Sequence, residues 1–198
     1  MSYLRKIEYR IIPEQAFKVL RNCSGCGCKA VFHSTNCFRI NANGNKIDVW
    51  LIYQCEKCKH TNNLTVYERR RPDSIPRQEY EKYLSNCGEL AFEYGTDTRF
   101  FSRNKAEVDW SNIRYTIEMQ KGKIEGSDKL FYKGDLLVIE NSYNLKIRTD
   151  KVISEVLKLR RSRIKALMES GVISVTEDKQ QHKIFITIID TLIMEKQF

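Results

Sequence analysis

Proline and glycine are scarce, at three and nine of 198 residues. That excludes a collagen-like chain and low-complexity disorder. Long hydrophobic runs are missing too. The most apolar stretch, Ile184 to Met194, is too short to span a bilayer and is broken by Asp190. No apolar segment follows the opening Met1-Ser2-Tyr3-Leu4-Arg5-Lys6-Ile7-Glu8, so no secretory signal is expected. The cysteine count of seven is odd. Without an export signal, it reads as reduced thiols in the cytoplasm rather than a disulfide framework. Gly-x-Gly-x-x-Gly, phosphate-loop and His-Glu-x-x-His patterns are absent, as is His-x-Glu paired with Pro-Cys-x-x-Cys. Within residues 72–144 no carboxylates stand at a spacing that marks an acid/base pair, and no nucleophile-base pair is visible. The chain is therefore expected to be no enzyme, with no small-molecule substrate and no membrane partner.

What is present is charge. The formal net charge is +9, from 34 Lys+Arg against 25 Asp+Glu. It is distributed as +8 over residues 1–71, −3 over 72–144 and +4 over 145–198. These shifts define the expected domains: 1–71, an acidic middle 72–144, and 145–198. Basic ends predict a polyanionic partner, which in a cytoplasmic protein is most often nucleic acid. The chain is long enough to bury roughly 70% of its unfolded surface.

Two cysteine pairs stand out, Cys23-Ser24-Gly25-Cys26 and Cys55-Glu56-Lys57-Cys58. Two intervening residues let a tight turn aim both sulfurs at one point, and two such turns supply tetrahedral sulfur coordination suited to zinc. Gly27 helps the first turn, and Lys29, Lys57 and Lys59 are placed to offset the charge of four thiolates. Between the pairs lie strand-like segments, Val31-Phe32, Cys37 to Ile40 and Ile47 to Tyr53. An Asn43-Gly44 turn sits among them, and Leu64 to Tyr67 follows, closed by Arg69-Arg70-Arg71. This layout predicts a zinc ribbon. Four cysteines close the metal shell, so the ion is expected to be structural. Cys28 and His60 are possible substitutes as ligands; Cys37 and Cys87 read as apolar fillers, His33 and His182 as structural histidines.

In the middle, Asp73 to Pro76 predicts a helix start with Ser74 near its cap. Tyr80, Tyr83, Leu84, Cys87, Leu90, Ala91 and Tyr94 follow at helical spacing, with a possible break at Gly88 and a stop at Gly95. Ile113, Tyr115, Ile117 and Met119 alternate as in a strand. Turns are expected at Lys121-Gly122-Lys123 and Gly126-Ser127-Asp128, and a strand at Leu136 to Ile139.

From Arg148 the pattern predicts two short helices. Val152, Ile153, Val156 and Leu157 stripe the first. Ser162 caps a second that carries Ile164, Leu167 and Met168 and ends at Gly171, before a strand at Val172 to Val175. Lys158, Arg160, Arg161, Arg163 and Lys165 crowd the connection. With Ser162 and the open amides of a helix start, they form a candidate phosphate site.

Arg148-x-Asp150-Lys151-x-Ile153, followed by Leu159-x-x-Ser162-Arg163 and Gly171-x-Ile173-x-Val175, resembles the S-four RNA-binding motif. Where that motif has Asn-Gly after its last valine, this chain has Thr176-Glu177. The resemblance implies that Arg148, Lys151, Arg160, Arg161, Ser162, Arg163 and Lys165 face RNA. The chain as a whole resembles the bacterial domain of unknown function 1062 family. That likeness rests on Cys23-x-x-Cys26, Phe38 to Asn43, Ile47 to Tyr53 with Cys55-x-x-Cys58, and Asn104 to Asp109.

The expected fold is thus α+β: an N-terminal zinc ribbon with a small antiparallel sheet, a central helix with strands, and a C-terminal S-four-like helix-turn-helix followed by strands. The expected function is non-enzymatic, zinc-containing RNA binding, ribosome- or tRNA-associated. The alternatives are a DNA-binding transcriptional regulator, or a protein-interaction module with a structural zinc.

Overall fold

A computed structural model describes residues 5–122, 130–190 and 192–193. The expected turn at Gly126-Ser127-Asp128 lies outside the described residues, as do Lys123 and Met194. The chain divides into two compact units: residues 13–114, and residues 1–12 together with 115–198.

The first unit is built on a five-stranded sheet in the order β5-β4-β3-β2-β6. Its strands are β2 (Val19–Cys23), β3 (Cys28–Asn43), β4 (Lys46–Cys55), β5 (Thr61–Arg70) and β6 (Glu107–Val108). Asn43 pairs with Lys46 across the β3–β4 hairpin, so the turn falls where Asn-Gly marks it but is made by Gly44-Asn45, with Gly44 alone at positive φ, +62°. Buried residues alternate along β4 (Ile47, Val49, Leu51, Tyr53), so one face of the sheet meets a core. Three helices belong to this unit: α1 (Arg77–Leu84), α2 (Gly88–Thr96) and α3 (Thr98–Arg103). Tyr83, Leu90, Ala91, Phe100 and Phe101 are buried. Phe38 meets Tyr83 edge-on with ring centroids 4.9 Å apart. The aromatic stripe is therefore a packed face. Two details differ from the sequence pattern. Pro76, not Ser74, flanks the start of α1. Gly95 lies inside the last turn of α2, where a side chain would collide with Ala16: an added Cβ would sit 2.6 Å from the Ala16 Cβ.

The second unit holds another five-stranded sheet, ordered β10-β11-β9-β1-β7. The strands are β1 (Lys6–Pro13), β7 (Tyr115–Lys121), β9 (Leu136–Glu140), β10 (Ile173–Asp178) and β11 (Lys183–Ile188). β8 (Leu130–Phe131) and β12 (Leu192–Ile193) form a separate two-stranded ladder. β1 runs parallel to β9, pairing Lys6 with Leu136 through Arg10 with Glu140. A buried carboxylate anchors this pairing. Asp135 is fully buried and accepts from Arg5 Nε at 3.0 Å and from the Tyr132 amide at 2.9 Å. Between β9 and β10 come α4 (Thr149–Leu157) and α5 (Arg161–Glu169). Their inward residues Val152, Ile153, Val156, Leu157, Ile164 and Leu167 are buried. Each contributes about 1.5–3 kcal/mol by leaving water.

The α+β class agrees with the sequence reading, but the arrangement does not. The structure does not show the expected S-four-like helix-turn-helix domain. The helix pair is a connection between two strands of a sheet whose partner strand β1 comes from the start of the chain. Nor do the cysteine-bearing hairpins form a small ribbon sheet of their own, since β6 extends that sheet and α1 to α3 share its unit. Neither unit boundary falls at 71 or 144. Parallel pairing across so many residues leaves no local mark in a sequence. Among the described residues, no helix is long and apolar enough to cross a membrane.

Candidate functional site

Cys23 ends β2 and Cys55 ends β4, so two neighbouring hairpins each open into a Cys-x-x-Cys turn. The two turns share one geometry. The Gly27 amide donates to the Cys23 carbonyl at 2.8 Å, and the Lys59 amide to the Cys55 carbonyl at 3.1 Å. The residue after each second cysteine is left-handed, Gly27 at φ +67° and Lys59 at φ +64°. Glycine takes that conformation without strain; lysine does not. The Glu56 amide, donating to the Val31 carbonyl at 3.0 Å, ties the second turn to β3.

The four sulfurs all lie within 4.8 Å of one another. Cys23 Sγ is 3.3 Å from Cys58 Sγ, and Cys26 Sγ is 3.8 Å from Cys55 Sγ. Neither is a disulfide, and all seven cysteines are free. A tetrahedron with metal–sulfur bonds of about 2.3 Å has sulfurs about 3.8 Å apart. The donor set therefore fits a metal ion. The thiols are unequal. Amide hydrogen bonds from Cys58 and then Lys57 lower Cys55 to about 7. Hydrogen bonding with Cys58, then burial, pushes Cys26 up to about 12. Burial, followed by the contact with Cys58, raises Cys23. A divalent cation suits such a cluster because it displaces the shared protons.

The cluster contains all four predicted ligands and neither substitute. Cys28 is exposed and outside it, while His60 Nε2 is 2.8 Å from Ser24 Oγ. That contact braces one turn against the other. Gly25 makes the second brace: a Cβ there would sit 2.9 Å from Cys58 Sγ. Sequence spacing marks the ligands but not these supports. Lys29 pairs with Glu107 at 2.5 Å, leaving exposed Lys57 and Lys59 as the cations of the second turn.

The basic residues of the helix pair are all exposed, but their partners differ. Arg148 and Arg161 both bind Asp150, with Nε distances of 3.1 and 2.8 Å. Lys151 lies 3.9 Å from Glu155 and 5.0 Å from the centre of the Tyr115 ring. Lys165 lies 3.7 Å from Glu169. Lys158 closes α4 in the left-handed conformation at φ +56°. Arg160, not Ser162, is the capping residue of α5, with Ser162 inside the first turn. The buried Leu159 between two exposed basic residues fixes that register. Among the described residues, Arg160 and Arg163 have no carboxylate partner. Thr149 Oγ1 donates to Glu177, so the acid that departs from the S-four pattern is held by α4's own first residue.

Two α+β units, one bearing a four-thiol site able to hold a metal ion and the other an arginine-rich helix pair, define the class of protein. Residues 40–179 match the family described as protein of unknown function (DUF1062), and the chain belongs to that family. The match takes in Cys55 and Cys58 and begins after Cys23 and Cys26. No curated protein and no solved structure matches the chain.

Proposed function

We propose that this protein is a non-enzymatic RNA-binding protein in which zinc, held by Cys23, Cys26, Cys55 and Cys58, is structural. Four thiolates fill a tetrahedral shell and leave no open position for a substrate or an activated water. Zinc suits an all-sulfur tetrahedron, iron being the other common occupant.

The observation that carries the RNA reading is the start of α5. Arg160, Arg161, Ser162 and Arg163 are exposed there, with no acidic residue in the first turn and no side chain capping its amides. Guanidinium groups beside open helix amides are a matched pair for phosphate oxygens. Folded RNA, which displays phosphates and 2′-hydroxyls in a defined shape, is the favoured polyanion over duplex DNA.

The test is crosslinking in cells with sequencing of the bound nucleic acid, paired with titration of purified protein against transfer RNA and duplex DNA at one fixed salt concentration. Tighter transfer-RNA binding, lost in an Arg160→Ala, Arg163→Ala double variant of unchanged thermal stability, is expected. A protein that crosslinks to no nucleic acid overturns the reading.

A further inference from the structure

The metal-bearing unit has a second arginine cluster, away from its sulfurs in sequence. β5 is the outermost strand of its sheet. An open groove of about 560 Å³ runs beside the end of that strand, lined by Thr65, Tyr67, Arg69, Arg70, Arg103 and Asn104. That volume lies within the roughly 300–1,000 Å³ of ligand sites.

Three features build the groove. Between Tyr67 and Arg70, β5 carries one residue more than β4 spends between Val49 and Ile47, a bulge in the ladder. Arg69 sits in this bulge at φ +48°, with its amide held by Asp48 Oδ1 at 2.7 Å. The break in alternation lets two consecutive arginines line one groove. The third arginine comes from α3. Asn104, which follows it, accepts from the Thr65 amide at 2.6 Å and donates to the Thr65 carbonyl at 3.0 Å. This side chain pairs with the strand as another strand would, and so locks the end of α3, with Arg103, against β5.

Glu68 is the one acid lining the groove. Among the described residues, Arg69, Arg70 and Arg103 have no carboxylate ion pair, and Arg70 lies 5.9 Å over the Tyr67 ring. Charge on an edge strand alone is explained as protection against edge-to-edge pairing. Protection does not require an arginine from a helix in the same groove, nor an asparagine that fixes it there.

We propose that this groove is a phosphate-binding site, taking the phosphates of a single-stranded nucleic acid or of a free polyphosphate. Guanidinium forks match phosphate oxygens in geometry and charge. The proposal does not depend on the helix pair.

The experiment uses the full, metal-loaded chain and an Arg70→Ala, Arg103→Ala variant. A fluorescein-labelled single-stranded RNA is followed by anisotropy, and tripolyphosphate by calorimetry, with the Arg160→Ala, Arg163→Ala variant in parallel. Support is a loss of at least about tenfold in affinity for either probe in the groove variant, at unchanged melting temperature. For RNA, the slope of log affinity against log salt should become shallower by about 1.4, two contacts' worth. Loss for tripolyphosphate alone supports the groove and identifies a free phosphate compound as its ligand. RNA binding lost only in the helix variant, with tripolyphosphate binding unchanged by the groove variant, overturns the groove and leaves the RNA reading standing. Wild-type protein that binds neither probe overturns the groove outright.

Discussion

Arg161 on α5 donates to Asp150 on α4, Nε to Oδ2 at 2.8 Å, and this contact joins two helices across their connection. Arg148 binds the same carboxylate from the other side. The two guanidinium groups, Arg161 first, hold the Asp150 carboxyl below the usual carboxylate range. A depressed pKa means the pairing stabilises above the unfolded value, near 4, and is lost as pH falls through the folded value. At neutral pH both arginines are therefore held. Asp150→Asn releases them and removes a negative charge from the basic face. RNA affinity should rise about fivefold, with a steeper salt dependence. Filter binding across a salt series measures both; lower affinity would show that Asp150 orients the arginines instead.

Purified protein should contain one equivalent of zinc by elemental analysis. Cys55→Ser, or treatment with a strong chelator, should remove it and lower the melting temperature by more than about 5 °C. A loss of that size is expected because metal binding at such sites is coupled to folding. An unchanged melting temperature would make the ion incidental to the fold.

Gly25→Ala and Gly27→Ala should separate two effects. An added Cβ at Gly25 would press on Cys58 Sγ, whereas one at Gly27 meets nothing within 4 Å but must take φ +67°. The first should weaken zinc affinity about tenfold or more, as disturbed supports of metal ligands do. The second should cost about 1 kcal/mol of stability, with a smaller effect on affinity. Competition with a colorimetric chelator and thermal melts resolve the pair.

Alkaline pH should destabilise the unit of residues 13–114. Tyr83 donates to Glu79 at 2.5 Å and contacts the Tyr94 hydroxyl at 2.8 Å; burial first, then Glu79, raises its pKa. Burial, followed by the same carboxylate, pushes Tyr67 up to about 12. Raised values mean that the stabilisation is intact below the unfolded tyrosine pKa, about 10, and disappears as pH climbs through the folded values. Melting temperatures should drop steeply above pH of about 10, and Tyr67→Phe should flatten that drop. An ultraviolet titration should show phenolate appearing late.

Asn104→Ala should cost about 1–3 kcal/mol, because the Thr65 amide and carbonyl both lose their partner. Asn104→Asp keeps the acceptor but turns a carboxylate oxygen against the Thr65 carbonyl, so it should be less stable than wild type. Denaturant melts measure it.

The four-cysteine cluster is legible because the chemistry is local: Cys-x-x-Cys is a turn and a candidate ligand pair at once. Many strands and helices were legible for the same reason, since β3, β4 and α4 declare their periods within a few residues. What escaped was tertiary. Nothing near Lys6 announces Leu136 as its partner, and nothing in Asn104 announces Thr65. Ser162 has the better capping chemistry, yet the burial of Leu159 sets the cap of α5 at Arg160. Gly95 resembled a helix stop, but it is small because Ala16 lies against it.

The tie between Arg5 and Asp135 also bears on how the molecule is made. Those two residues stand 130 apart in the chain. During synthesis, residues 13–114 leave the ribosome with all their own strands in hand. The opening strand must wait for its two neighbours, β7 and then β9, on the order of ten seconds at ordinary elongation rates. Through that interval its alternating apolar residues, Ile7, Tyr9 and Ile11, lack the sheet that buries them, which leaves β1 open to chaperones and to mispairing.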